Sequence, residues 1–316
     1  MYKEKTVGVV VPAYNEERLI GRTIETIPDF VDKIVIVDDG STDRTAQIVQ
    51  EYQQQQPERI ILIRHETNQG VGGAIASGYI WCRDADLDMA AVMAGDAQMD
   101  PQDLPALLDP VAAAEVDYTK GNRLISGEAW KKIPKLRYLG NAVLTLLTKI
   151  ASGYWHVADS QSGYTVINKR ALRAINWYSM YKGYGQPNDL LVRLNIHNMR
   201  VRDVEIKPIY GIGEKSGIHP LAIIPRLSLL IIKLFVYRMW QKYIIRDFHP
   251  LVFFYLLAFS LIFISIPLTI RLIWVTIEKH NVPPINALAL IFILIMGVQS
   301  LFFAMWFDMS YNQDLK

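Results

Sequence analysis

Val37-Asp38-Asp39-Gly40-Ser41-Thr42-Asp43 closes the apolar run from Lys33 to Val37 with three carboxylates and a glycine. A second closure of the same kind, Gly95-Asp96-Ala97-Gln98-Met99-Asp100-Pro101, follows the apolar stretch from Met89 to Met93. Runs of this length rich in β-branched and apolar residues read as buried strands, so each acidic cluster belongs at the carboxyl edge of a sheet. In open α/β sheets that edge is where ligands bind, and gathered carboxylates there suit a nucleotide with its divalent metal.

Working outward, strands and helices alternate. Val7 to Val11 is a strand that Pro12 should stop. Glu16 to Ile27 carries Leu19, Ile20, Ile24 and Ile27 near helical spacing. Ser41 or Thr42 can cap a helix running to about Tyr52. Arg59 to Ile63 is a third strand, Asn68 to Gly73 a turn, Ala74 to Arg83 a helix, and Asp103 to Ala114 a helix after the fourth strand. Such alternation predicts an α/β fold with a doubly wound, mostly parallel sheet and right-handed crossovers. The glycines at 70, 72 and 73 invite a dinucleotide-binding reading. Ile75 occupies the place of the third glycine, however, and the segment follows the third strand rather than the first, so that reading is set aside.

Composition narrows the partners. The net charge of +2 hides an acid-rich first third and a recurrence of Arg and Lys from Lys120 to Arg246. No dense basic run coincides with an aromatic platform, which argues against nucleic acid. Cys82 is the only cysteine, which excludes an internal disulfide and a thiolate zinc site, and it is expected in the core. No histidine has metal-ligand spacing. Met1 to Lys5 is charged and leads straight into the first strand, so the soluble part is expected on the cytoplasmic side.

The character changes after residue 218. Pro250 to Ile277 and Ile285 to Phe307 each exceed the roughly 20 apolar residues a bilayer span needs. The short link between them makes the pair a hairpin. Arg271 is the exception within the first span, expected to snorkel toward the far interface. Before the hairpin, Arg238, Lys242 and Arg246 fall four residues apart beside Tyr237, Trp240 and Tyr243, a pattern that fits helices lying in the membrane surface. The expected organisation is therefore a cytoplasmic catalytic domain over residues 1–218, juxtamembrane interfacial helices over 219–249, and a two-span transmembrane hairpin with a cytoplasmic tail over 250–316.

Pro12-Ala13-Tyr14-Asn15-Glu16-Glu17, followed by the Val37 to Asp43 stretch, resembles the opening of a glycosyltransferase family 2 domain. Gly95 to Gln98, Gly121-Asn122-Arg123, Asp159-Ser160-Gln161-Ser162-Gly163-Tyr164 and the terminal hairpin resemble the branch that loads sugars onto dolichyl and undecaprenyl phosphates. The resemblance implies a GT-A fold and inverting transfer from a UDP- or GDP-sugar to a polyprenyl phosphate. It places Pro12, Tyr14, Glu16 and Asp39, with Asp38 as alternate, around the nucleotide. It makes Asp96 and Gln98 the metal and diphosphate positions, with Mg²⁺ or Mn²⁺ as cofactor. Family members usually carry an acidic residue two places before Asp96, where this chain has Ala94. On the acceptor side it implies that Arg123 and Arg137 face the lipid phosphate, with Asn141 one turn after Arg137.

Other candidates are Asp159, which either orients substrate or is structural, and Asp189, where relatives carry an acid facing the sugar. Lys215, in the glycine-rich stretch from Gly211 to Gly217, is a charge partner for the diphosphate. Ser41 and Asp43 read as helix caps. A homo-oligomer is compatible with the sequence. Two other readings stay open: a transferase using a non-phosphate lipid, and a catalytically impaired membrane protein that binds sugar nucleotides. A processive polysaccharide synthase is a further rival, although its Gln-x-x-Arg-Trp motif and additional spans are not seen in this sequence.

Overall fold

The computed structural model describes residues 1–124, 135–207 and 220–316, with side chains from residue 143 in the helix opening at Lys135 and from residue 225 in the helix opening at Pro220. The chain divides into two compact units, residues 1–235 with 315–316, and residues 236–314.

Among the described residues, the first unit is built on seven strands. These are β1 (Val7–Ala13), β2 (Lys33–Asp38), β3 (Ile60–Arg64), β4 (Met89–Val92), β5 (Tyr118–Asn122), β6 (Thr165–Asn168) and β7 (Val201–Glu205), in the order β3-β2-β1-β4-β6-β5-β7. β3, β2, β1 and β4 are parallel, and β5 is parallel to β7. β6 alone is reversed, pairing antiparallel with both β4 and β5. The mostly parallel α/β class is as expected, with this one reversal added.

Helices α1 (Ile20–Thr26), α2 (Thr45–Gln55), α3 (Val71–Asp84), α4 (Leu104–Ala112), α5 (Lys135–Ser152), α6 (Lys169–Ala174), α7 (Gln186–Ile196) and α8 (Pro220–Trp240) complete the α/β layering. Alternate residues of each strand enter different cores, as the period of two requires. Val10, Val35 and Val37 pack with α3, whereas Val9, Val11, Ile34 and Ile36 pack with α1 and α4. Cys82 is fully buried among the first group.

Several boundaries differ from the sequence reading, and three of them have a local reason. β1 continues through Pro12 to Ala13, because a ring without an N–H is tolerated at a strand end, and the Pro12 carbonyl still accepts from Gly95 N at 3.2 Å. α1 begins at Ile20 rather than Glu16, since Asn15 turns the chain at φ 56° and its Oδ1 accepts from Thr42 N at 2.9 Å. α3 begins at Val71, with the glycines inside it. A Cβ on Gly72 would lie 2.2 Å from the Tyr181 carbonyl, and one on Gly78 would lie 2.2 Å from Val10 Cγ1. The glycines therefore serve close packing of helix on strand and loop.

The second unit holds the end of α8, a π-helical turn (Gln241–Arg246), and two long helices, α9 (Leu251–Lys279) and α10 (Pro284–Tyr311). α9 and α10 are long and apolar enough to cross a membrane, and Phe263, Trp274 and Trp306 are each at least 70% exposed along them. Arg238 is completely buried and binds Asp308 through two bonds, Nη1–Oδ1 at 2.8 Å and Nη2–Oδ2 at 2.9 Å. Tyr243 Oη donates to the same carboxylate at 2.6 Å, and Lys242 Nζ donates to Asn312 Oδ1 at 2.8 Å. Burial and the neighbouring Arg238 push the Lys242 ammonium down to about 7.

This corrects the expected outward cationic face. Arg238 and Lys242 turn inward, while Arg246, Tyr237, Trp240 and Phe248 are exposed. Their acceptors lie some seventy residues further along the chain, beyond what spacing on one helix reveals.

Removing one partner of a buried ion pair typically costs about 3–5 kcal/mol, while replacing both by apolar residues is often neutral. Asp308→Ala should therefore lower the melting temperature of the detergent-purified full chain by several degrees, and Arg238→Met with Asp308→Leu should restore most of it. A single variant melting with wild type would show that the pair is dispensable.

Candidate active site

Because β1, β2, β4 and β5 run one way and β6 the other, the carboxyl ends of the first four and the amino end of β6 share one sheet edge. The segments after β1, β2, β4 and β5, and the segment before β6, all open there.

The acidic side is more organised than its sequence suggests. Asp39, 3% exposed, contacts His65 Nδ1 at 2.6 Å and accepts from the backbone N–H groups of Gln69 and Gly70 at 2.8 and 2.7 Å. His65 Nε2 in turn meets Ser77 Oγ at 2.9 Å. Asp38 is fully buried, accepting from Ser41 N at 3.1 Å and Arg64 Nε at 3.3 Å. Both carboxylates tie together the loops that wall this edge of the sheet. Asp43 accepts from Thr45 N at 2.9 Å at the start of α2 and from Glu17 N at 3.1 Å, whereas Ser41 Oγ accepts from Asn15 N at 3.0 Å. Of the remaining nucleotide candidates, Tyr14 is exposed, and Pro12 and Glu16 are half-buried. Burial together with the Asp96 and Asp43 carboxylates pushes Glu16 up to about 7.

Asp96 opens the loop after β4. Its Oδ1 accepts from Gln98 N at 3.1 Å across Ala97, which adopts φ 55°. Gly95 lies so close to β1 that a Cβ would stand 3.2 Å from the Pro12 carbonyl and 3.3 Å from Ala13 Cβ. Among the described residues no group of three His, Cys, Asp or Glu side chains could hold a metal ion. One carboxylate and one amide oxygen still fit Mg²⁺ or Mn²⁺, because Mg²⁺ keeps most of its water and substrate-phosphate ligands and needs only one or two protein carboxylates. The unfavourable proximity of Glu16, Asp96 and Asp43 is what such a cation would relieve.

The basic side is a buried clasp. Arg123 Nε donates to Asp159 Oδ2 at 2.7 Å and Nη2 to Oδ1 at 3.0 Å, a bidentate pair that fixes the guanidinium plane. Burial alone would raise Asp159, but the Arg123 hydrogen bonds and charge, with Lys120 behind them, hold it below the usual carboxylate range. Lys120 is fully buried within β5 and donates to the Ser162 carbonyl. Burial pushes its ammonium down to about 8 against the pull of Asp159 and Asp203. Asp203 on β7 accepts from Asn122 Nδ2 at 2.8 Å and Ala158 N at 2.7 Å, and burial raises it. Tyr164 Oη donates to the Asp100 carbonyl at 3.0 Å, and a Cβ on Gly163 would meet Met99 at 3.3 Å. The segment from Asp159 to Tyr164 thus touches both Arg123 and the loop that carries Asp96.

Asp189 is 2% exposed and turned elsewhere: its carboxylate accepts from Tyr181 N at 2.7 Å and Arg193 Nε at 2.9 Å. Its neighbour Asn188 faces the clasp segment, accepting from Gln161 Nε2 at 3.0 Å and Thr148 Oγ1 at 3.1 Å. Asn188 Nδ2 is buried without a partner among the described residues. The side chains of Arg137 and Asn141, and all of Lys215, lie outside the described residues. Lys120, Asp203, Gln161 and Asn188 were assigned no role of their own from the sequence. The one available signal was a lysine set inside the buried strand Tyr118-Thr119-Lys120-Gly121-Asn122.

A seven-stranded, mostly parallel sheet with one reversed strand and acidic loops at its carboxyl edge has the architecture of a GT-A domain. Residues 8–175 match the family described as Glycosyl transferase family 2. The chain is 30% identical over 219 residues to a UDP-N-acetylglucosamine–dolichyl-phosphate N-acetylglucosaminyltransferase of Methanococcus voltae, covering 66% of this chain and 87% of that one. It is 29% identical over 203 residues to an undecaprenyl-phosphate mannosyltransferase of Micrococcus luteus, covering 63% and 82%. In fold it is similar to glucosyl-3-phosphoglycerate synthase from Mycobacterium tuberculosis, solved with Mn²⁺, UDP and phosphoglyceric acid, at a TM-score of 0.54 and 19% identity over 74% of this chain and 78% of that one. The chain belongs to glycosyltransferase family 2.

The wall role of Asp39 is directly measurable. Hydrogen bonds to a charged group contribute about 1.5–3 kcal/mol each. In Asp39→Ala the Gln69 and Gly70 amides should exchange with deuterium at least about tenfold faster while β1 stays protected. Unchanged exchange at those two amides would place the order of that loop elsewhere.

Proposed function

We propose that this chain transfers a single hexose from a UDP- or GDP-linked donor to the phosphate of a membrane polyprenyl lipid, with inversion at the anomeric carbon. The observation that carries this is the coupling of two chemistries at one edge. An acidic loop suited to a metal-bound diphosphate touches, through Asp100 and Met99, the segment that clamps Arg123. The names of the Methanococcus and Micrococcus relatives support a polyprenyl-phosphate acceptor, and the two apolar helices supply the membrane. The catalytic domain is placed on the cytoplasmic face, where nucleotide-sugars are made, with the hairpin as anchor.

In this reading Tyr14, Pro12 and Glu16 line the nucleotide, and Asp38 and Asp39 act through the loops they hold. Asp96 and Gln98 would hold Mg²⁺ or Mn²⁺ beside the donor diphosphate, and that ion supplies charge neutralisation for the departing group. Arg123 receives the lipid phosphate, whose planar recognition by a guanidinium is bidentate. Asp159 positions Arg123, and Lys120 and Asp203 support Asp159 from behind. A phosphate oxygen forms the new bond to the anomeric carbon as the bond to the donor diphosphate breaks. The attacking oxygen is already ionised near neutral pH, so no general base is assigned. Arg137, Asn141 and Lys215 belong to the same proposal as further phosphate partners.

The test is transfer by the purified full chain from a panel of radiolabelled UDP- and GDP-sugars to undecaprenyl phosphate. An acid-labile glycolipid should form with Mg²⁺ or Mn²⁺ and not with EDTA, and Asp96→Ala should abolish it. Asp159→Asn should raise the acceptor KM about tenfold or more, with the donor KM within about twofold, because it loosens a guanidinium that meets only the acceptor. Full turnover by Asp96→Ala, or equal changes in both KM values, would contradict this assignment.

A further inference from the structure

At the loop end of the hairpin a cleft of about 420 Å³ is lined by Arg271, Val275 and Lys279 of α9, Asn281 and Pro283 of the loop, and Asn286 of α10. None of the four polar side chains has a hydrogen bond or ion pair among the described residues. No carboxylate lines the cleft, although Glu278 adjoins Lys279 in sequence. Two cations and two amides thus converge without a counter-charge at the end of two long apolar helices.

The depth of Arg271 indicates what meets it. α9 has 29 residues, or about 43 Å at 1.5 Å per residue, against roughly 30 Å of hydrocarbon. Arg271 is the twenty-first residue of the helix, about 9 Å past its midpoint, so its long side chain snorkels toward the interface at the loop end, and Lys279 stands about 12 Å further out. Trp274, 70% exposed on the same stretch, is the kind of side chain that marks an interface. Arg271 shares the cleft with Asn281 and Pro283 of the loop, so its side chain reaches toward the loop end of the hairpin, where lipid phosphates lie. A lipid phosphate lies at the level that a snorkelling guanidinium reaches. A guanidinium matches phosphate oxygens in bidentate fashion, with the ammonium and two amides left to hold the remaining oxygens.

We infer that Arg271, Lys279, Asn281 and Asn286 form a binding site for the phosphate of an anionic membrane lipid, in the leaflet at the loop end of the hairpin. The site rests on the membrane-spanning reading of α9 and α10 and is independent of the transfer reaction.

The experiment uses the full chain in detergent and measures its melting temperature with dilauroylphosphatidylglycerol, dilauroylphosphatidylcholine or inorganic phosphate. Each variant's own lipid-free value is the baseline. The anionic lipid should raise the wild-type value by several degrees more than the other two. Arg271→Gln with Lys279→Gln should lose most of that difference, and so should Asn286→Leu, which leaves the charge unchanged. An equal rise with inorganic phosphate, or a full rise in the double variant or in Asn286→Leu, overturns the site. A parallel alkaline wash of membranes separates the premises. Release of the protein overturns the spanning reading and the site together, whereas retention without preference for the anionic lipid overturns the site alone.

Discussion

Across β6 the hydrogen-bond ladder is antiparallel on both sides, so that Val92 of β4 and Lys120 of β5 both face Thr165. The residues that precede β6, Asp159 to Tyr164, therefore emerge at the same edge as the loops that follow β1, β2 and β4. Had β6 run parallel to its neighbours, this segment would have opened at the opposite edge, a full strand length away from Asp96. The reversal brings Tyr164 to the Asp100 carbonyl and Asp159 to Arg123. Every other feature of the site presupposes that placement.

Once the segment is there, its charges must be satisfied in a poorly solvated place. Lys120 and Asp159 are almost fully excluded from water and Asp203 is half-buried, and isolated charges in such a position are disfavoured. The solution is a chain of alternating sign, with Asp159 lying between Arg123 and Lys120 and Asp203 acting on Lys120 from the β7 side. A network of this kind stabilises little overall compared with an apolar core. What it provides is orientation: a guanidinium held in one plane loses less freedom when a phosphate arrives.

The sequence displayed the sheet, the two acidic closures and the apolar helices because each is written in local pattern: strand composition, turn residues and hydrocarbon length. It did not show the partners of side chains that bond to distant parts of the chain. Asp38 accepts from Ser41 N and Arg64 Nε, and Asp39 meets the His65 ring and the Gln69 and Gly70 amides, bonds that the spacing of the acidic cluster does not reveal. Arg238 and Lys242 looked interfacial because helical spacing cannot show Asp308 and Asn312. Asp189 and Asn188 are adjacent, and only the direction of α7 decides that the amide rather than the acid faces Gln161.

The two cationic groups of the second unit show how context assigns a role to the same residue type. Arg238 is buried with Asp308, Tyr243, Lys242 and Asn312 close about it, and its charge is matched within the chain. Arg271 is exposed in the last third of an apolar helix and is matched by nothing among the described residues. Both positions are costly for a guanidinium, the first through lost hydration and the second through proximity to hydrocarbon. In the first case an acid seventy residues away offsets the cost. In the second the compensating charge must come from outside the chain, and at that depth an anionic lipid headgroup is the partner the surroundings supply.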